Sequence, residues 1–169
     1  MAQHENESIR FQEGCQRQWA MVEALLPMVD RARQLEIVAI PEGWTLTRDC
    51  CVVDVGRLNI DGRSPAYDMH EVTGLDSIVQ AHVASQRDTA YAVMTAILDI
   101  ECRDLTRCYI RCTGGTHRSP AVACLLGTIA YTQARIGLVT PRTVRAAETA
   151  DWTRRALPAA SSGSGQRAV

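Results

Sequence analysis

Hydrophobic and polar positions alternate along the first third of the chain in two different periods. In residues 9–34 apolar side chains recur every three or four positions, which predicts an amphipathic helix that bends or breaks at Pro27. The polar segment 1–8 before it is expected to be frayed. Short apolar runs at residues 36–40 and 50–54 predict strands, and the second has the composition of a strand that is buried on both faces.

The rest of the chain continues the alternation of helices and strands. The pattern predicts, in order, a helix at 77–85, a helix at 88–101, a strand at 107–111, a helix at 119–132 and a helix at 142–157. Asp76 is placed to cap the first of these helices, and Pro120 falls in the first turn of the third, where a missing N–H costs nothing. The Gly- and Asp-rich stretch 56–67 is predicted to be a surface loop, and the tail 158–169 to be disordered.

This order of elements predicts one α/β domain over residues 1–157, with three layers and a mainly parallel sheet that carries helices on both faces. A length of 169 residues with 46% hydrophobic content suits a single globular domain whose core needs neither a disulfide nor a metal. In such sheets ligands bind beyond the carboxyl ends of the strands. The strand at 107–111 therefore leads the chain towards the expected site.

The composition excludes several kinds of chemistry. The net charge of −1 gives no overall attraction to nucleic acid or to an anionic membrane, and all 18 basic residues are Arg. Without Lys there is no Schiff-base chemistry and no Walker A nucleotide site. Seven Cys, no signal peptide and no apolar run that could span a bilayer favour free thiols in the cytoplasm. We expect no cofactor and no metal site, because no Cys-x-x-Cys pair occurs and adjacent Cys50 and Cys51 would point to opposite faces of a strand.

The segment between the last predicted strand and the following helix carries the strongest chemical signal. It consists of Cys112, Thr113, Gly114, Gly115, Thr116, His117, Arg118 and Ser119. The glycines allow the backbone to turn its N–H groups inward, and the helix N-terminus adds about half a positive charge. We therefore predict a phosphate-binding loop in which residues 113–116 supply N–H groups, His117 and Arg118 neutralise charge, and Ser119 caps the helix.

The same loop resembles the signature of the cysteine-dependent tyrosine and dual-specificity phosphatases, which is Cys, five residues, Arg, then Ser or Thr. This resemblance implies a nucleophile at Cys112, a transition-state contact from Arg118 and a general acid at Asp76. Arg111 precedes the cysteine, where these phosphatases usually carry His. The sequence does not decide whether the Cys112 thiol points into the loop, as a nucleophile must.

A second resemblance extends over residues 53–131. Residues 109–119 are similar to the strand and the Gly-Cys-Thr-Gly-Gly-x-His-Arg-Ser string in the C-terminal domain of the RNase adapter protein RapZ family, and the similarity includes His117. Residues 53–59 resemble its Asp-Val-Arg-x-Leu-x-Asn stretch, and residues 73–76 match its Thr-Gly-Leu-Asp string. Because three matches occur in the same order, we prefer this interpretation to the phosphatase.

The RapZ resemblance implies a fold like the phosphate-binding half of a phosphofructokinase and a site for a phosphorylated sugar or nucleotide. It also implies RNA as a partner and assembly into a homo-oligomer. The opposite wall of the pocket would then comprise Asp54, Arg57, Asn59, Thr73, Gly74 and Asp76. No membrane partner is expected.

This chain departs from the RapZ pattern at three places. The family's N-terminal nucleotide-binding domain is absent, so ATP hydrolysis is not predicted. Gly56 takes the place of the family's Arg, and Arg57 follows one position later. Beyond Tyr131 we predict a helix and a tail where the family ends in a basic strand. A third hypothesis remains, a protein-interaction module whose loop holds a structural anion.

Overall fold

The computed structural model describes residues 2–46, 49–58, 68 and 71–139. These residues form four α-helices and four β-strands: α1 (Ala2–Leu25), β1 (Glu36–Pro41), β2 (Cys51–Asp54), α2 (Ser77–Ala84), α3 (Arg87–Arg103), β3 (Arg107–Cys112), α4 (Arg118–Ile129) and β4 (Arg135–Leu138). The predicted helix at 142–157, the predicted tail and the proposed pocket residue Asn59 lie outside the described residues.

The four strands form one sheet in the order β2, β3, β1, β4, and all neighbouring strands are parallel. In the register Glu36 lies beside Arg107, and Cys51 beside Cys108. The predicted α/β fold with a parallel sheet is confirmed. Because all strands run the same way, their carboxyl ends meet at one edge of the sheet.

The two faces of the sheet have different coverings. The larger core lies between one face and the helices, with α3 packed on β2 and β3, and α4 packed on β1, β3 and β4. On the other face a smaller cluster around Ile40 and Tyr109 is covered by Trp44, Leu46 and Cys50. Cys51 belongs to the larger core, so the two adjacent cysteines do point to opposite faces.

The first helix differs from the prediction at both ends. It begins at Ala2, so residues 2–8, which were expected to be frayed, are helical. It ends at Leu25, and a 3-10 turn over Leu26–Met28 contains Pro27, after which Val29 is extended. The predicted break at Pro27 is confirmed, because proline has no N–H to bond the carbonyl four residues before it, whereas the continuation of the helix to residue 34 is wrong.

Strand β4 was not predicted. It forms through backbone pairing with β1, and the N–H of Arg135 donates to the carbonyl of Leu35. The prediction assigned no element between residues 132 and 142, and β4 lies in that interval. No helix in the described ranges has both the length and the apolar character needed to cross a bilayer.

Candidate functional site at the carboxyl edge of the sheet

The loop between β3 and α4 lies at the carboxyl edge of the sheet, as predicted. Gly115 has a φ of +68°, which favours glycine. A Cβ at this position would lie 2.9 Å from the carbonyl oxygen of Val139 and 3.0 Å from the nitrogen of Pro41. The N–H of Glu42 donates to the carbonyl of Cys112 at 2.9 Å. The loop therefore packs closely against the end of β1 and against Val139, the residue that follows β4.

The thiol of Cys112 points into the loop, which answers the question that the sequence left open. Its side chain is only 2% exposed. The N–H of Gly115 donates to Sγ at 3.2 Å, and Ser119 Oγ lies 3.1 Å from the same sulfur. Helix α4 begins at Arg118 and has no side-chain cap. The expected capping role of Ser119 is wrong, because its hydroxyl contacts the thiol inside the first turn.

Several backbone N–H groups of the loop find no acceptor among the described residues. Within the described part of the chain, the N–H groups of Thr113, Gly114 and Thr116 donate to no protein acceptor. The N-terminus of the 12-residue helix α4 follows directly. Unpaired donors next to a helix N-terminus create a local site of positive potential.

Arg118 connects this loop to the chain that follows β2. Its Nη1 donates to the carbonyls of Gly56 and Leu58, the second at 3.3 Å. A guanidinium has five N–H donors, and those on Nε and Nη2 of Arg118 have no acceptor among the described residues. Arg118 therefore keeps its full positive charge, because its partners are neutral carbonyls.

The segment that resembles the Thr-Gly-Leu-Asp string packs directly on the loop. Gly74 donates its N–H to the carbonyl of Thr116 at 3.0 Å. A Cβ on Gly74 would lie 2.0 Å from the carbonyl oxygen of His117, so only glycine fits there. The ring of His117 lies 2.9 Å from the carbonyl of Val72, and because a carbonyl only accepts, Nε2 carries the proton. His117 thus joins the loop to this segment through Nε2.

Asp76 occupies the position before α2, as predicted, but its carboxylate does not cap that helix. It accepts from the N–H of Thr73 at 2.7 Å and from the Thr73 hydroxyl at 3.1 Å. The hydroxyl in turn accepts from the N–H of Leu75 at 3.2 Å. These bonds close a tight turn, so the capping role assigned to the Asp76 side chain is wrong.

A polar cavity of about 190 Å³ opens beside Cys112. It is lined by Glu42, Asp54, Gly56, Arg111, Cys112 and Thr113. The structure thus brings Asp54 to Cys112, as the rule for strand ends predicted. Arg57 is exposed and is not among these residues.

Asp54 and Arg111 form an ion pair in this cavity. Nε and Nη2 of Arg111 donate to Asp54 Oδ2 at 3.2 and 2.7 Å, and the N–H of Gly56 donates to Oδ1 at 2.8 Å. The bond from the Gly56 N–H contributes most to lowering the pKa of Asp54 below its usual value; burial opposes it, and the hydrogen bond and charge of Arg111 lower the pKa further. Asp54 is therefore ionised at neutral pH.

Three residues of the cavity were not predicted as site residues: Gly56, Glu42 and Arg111. Glu42 is the first residue after β1, and Arg111 directly precedes Cys112 in β3. Both positions lie at the carboxyl ends of parallel strands. The rule that selected Asp54 could therefore have selected both.

No family model matches this chain, and no curated protein matches it. The geometry of the loop and its cavity therefore supplies the structural support for a function.

Proposed function

We propose that this chain binds a phosphate-bearing small molecule, a phosphosugar or a nucleotide, at residues 112–119. The unpaired N–H groups of Thr113, Gly114 and Thr116 beside the N-terminus of α4 carry this proposal. An anion that accepts from them would complete hydrogen bonds that the described protein atoms leave open. The proposal agrees with the resemblance to the RapZ C-terminal domain.

Charge and size support the same ligand class. The helix N-terminus contributes about half a positive charge, and Arg118 adds a full charge that its carbonyl partners do not cancel. The cavity of about 190 Å³ is smaller than the roughly 300–1,000 Å³ of pockets that enclose drug-sized ligands. It therefore suits the phosphate end of a small metabolite.

Calorimetric titration with inorganic phosphate tests the proposal. We expect the wild type to bind, and Arg118→Gln to bind at least about tenfold more weakly because a charge-assisted contact is lost. Arg103→Gln is the matched control: it removes the same charge and one ion pair with Asp99, at the end of α3. Its affinity should equal that of the wild type. A wild type that binds neither phosphate nor phosphomonoesters contradicts the proposal.

A second candidate function, a cysteine-dependent phosphatase, is favoured by the Cys112 thiol. The sulfur points into the loop, accepts from the N–H of Gly115 and lies beside the Ser119 hydroxyl, an arrangement that would stabilise a thiolate nucleophile. Hydrolysis of an aryl phosphate under reducing conditions by wild type and Cys112→Ser tests it. Turnover that disappears in the serine variant would establish the phosphatase.

Neither carboxylate that could act as a general acid is suited to that role, which favours the binding function over the phosphatase. The carboxylate of Asp76 is held by two bonds to Thr73. Asp54, which does line the cavity, has a lowered pKa and carries no proton to donate at neutral pH. We therefore expect no turnover from either protein.

The wider role that we propose follows the RapZ resemblance. In it, a phosphorylated ligand controls a homo-oligomeric sensor or RNA adapter in the cytoplasm. The seven cysteines, all within the described residues, form no disulfide, as thiols in a reducing compartment would. Gel-shift titration with RNA, with and without phosphate, tests the RNA partner.

A further inference from the structure

Two arginines approach the loop, and their partners differ in charge. Arg118 donates to neutral carbonyls, whereas Arg111 donates to a carboxylate. We propose that Arg111 is a second side chain that contacts the ligand's anionic group, and that Asp54 is an internal anion that competes with the ligand for it. This inference rests on the proposed function and extends it to a determinant of affinity.

Arg111 lies where it can reach an anion in the cavity. It is the residue before Cys112 in β3, and it lines the same cavity as Cys112 and Thr113. Its Nε and Nη2 form the edge of the guanidinium that binds carboxylates and phosphates through two parallel bonds. In this structure that edge faces a single oxygen, Oδ2 of Asp54.

The ion pair between Arg111 and Asp54 is weak. The side chains of Arg111 and Asp54 are 35% and 55% exposed, and exposed pairs of this kind contribute little to stability. The other oxygen of Asp54 accepts from the N–H of Gly56, so Asp54 has a partner that does not depend on Arg111. An incoming anion can therefore take over Arg111 at small cost to the fold.

In the absence of a ligand, the positive charge of Arg111 is therefore neutralised by Asp54. While Asp54 faces Arg111, the two charges cancel, and Arg111 adds little to the attraction that Arg118 and the helix N-terminus exert on an anion. An anion with enough acceptors to replace Asp54 gains the second guanidinium as well. Phosphate, with its several oxygens, meets this requirement.

A double-mutant cycle with inorganic phosphate, measured by calorimetry at pH 8, tests the inference. We expect Arg111→Gln to weaken binding at least tenfold and Asp54→Asn to tighten it three- to tenfold. An asparagine at position 54 keeps the acceptor for the Gly56 N–H, so the local fold is preserved. Arg103→Gln again serves as the control for loss of one charge, at the opposite edge of the sheet.

The double variant separates competition from simple repulsion. If Asp54 competes for Arg111, the gain from Asp54→Asn should disappear in the Arg111→Gln background. An equal gain in both backgrounds would mean that Asp54 only repels the anion and would overturn the inference. Unchanged affinity in Arg111→Gln would overturn it while the proposed function stands. A wild type that does not bind phosphate would overturn both.

Discussion

The two edges of the sheet carry similar polar residues but use them differently. At the amino edge Arg33 pairs with Glu101 at 3.2 Å and with Asp104 at 2.5 Å, and Glu101 also accepts from the buried Tyr131 hydroxyl at 2.8 Å. Burial and this carboxylate raise the pKa of Tyr131. These bonds connect the end of α3 to the chain before β1 and β4, and among the described residues they leave one buried nitrogen, Nε of Arg33, without an acceptor.

At the carboxyl edge the polar groups are only partly satisfied by the protein. The loop N–H groups of Thr113, Gly114 and Thr116 lack acceptors among the described residues, and the Arg111–Asp54 pair is open to solvent. Polar groups that are buried and paired stabilise the folded state. Polar groups that line a cavity without a protein partner are instead available to hydrogen-bond a ligand. The amino edge thus contributes to stability, and the carboxyl edge carries the site that we propose for phosphate.

The largest expected effect on stability comes from substitution of Gly74, which packs against the backbone at the carboxyl edge of the sheet. Gly74→Ala should destabilise the fold by roughly 3 kcal/mol and abolish phosphate binding, because the new methyl group would overlap the backbone at His117 and Ala121. Urea denaturation and calorimetry measure the two effects. Gly14→Ala in α1, where nothing lies within 4 Å, should instead stabilise slightly. Normal phosphate affinity in Gly74→Ala would break the comparison.

A smaller effect is expected at the amino edge. Glu101→Ala should cost about 2 kcal/mol, because it leaves the buried Tyr131 hydroxyl without its acceptor and removes one partner of Arg33. Phosphate affinity should not change. Asp99→Ala on the same helix, which removes only the exposed pair with Arg103, should cost no more than about 0.5 kcal/mol. Equal costs for both variants would contradict the assignment.

Asp54→Asn should affect stability less than either Gly74→Ala or Glu101→Ala. At pH 7 it should cost at most about 1 kcal/mol, because the pair with Arg111 is exposed. The pKa of Asp54 is lowered in the folded state, so its contribution is present above the unfolded value of about 3.9 and is lost as pH falls through the folded value. Denaturation of both proteins between pH 2.5 and 7 should show curves that converge at the acid end. A difference that grows on acidification would contradict the sign.

Much of the architecture was predictable because local periodicity and tertiary packing agree. The helices at Ser77–Ala84 and Arg87–Arg103 and the strands at Glu36–Pro41 and Arg107–Cys112 lie within two residues of their predicted bounds. Their apolar faces form the larger core, so the hydrophobic pattern and the fold require the same residues. Strand β4 was missed because its four residues have little burial pattern of their own. It exists through hydrogen bonds to β1, which are distant in sequence.

For the site, the sequence by itself determined the loop. The run from Cys112 to Ser119, with glycines between a strand and a helix, requires a tight turn, and the rule for parallel sheets brings Asp54 to the same edge. Local chemistry is sufficient for these conclusions, since backbone freedom and helix ends depend on neighbouring residues.

Only the tertiary structure decided which partner each charged side chain takes. Arg118 bonds the carbonyls of Gly56 and Leu58, Arg111 bonds Asp54, and Asp76 turns back to Thr73. The physical reason is that an arginine side chain can reach several acceptors, and the fold determines which of them lies within hydrogen-bonding distance. The acceptors of the two arginines come from segments more than 50 residues away in the chain, which only the folded sheet brings together.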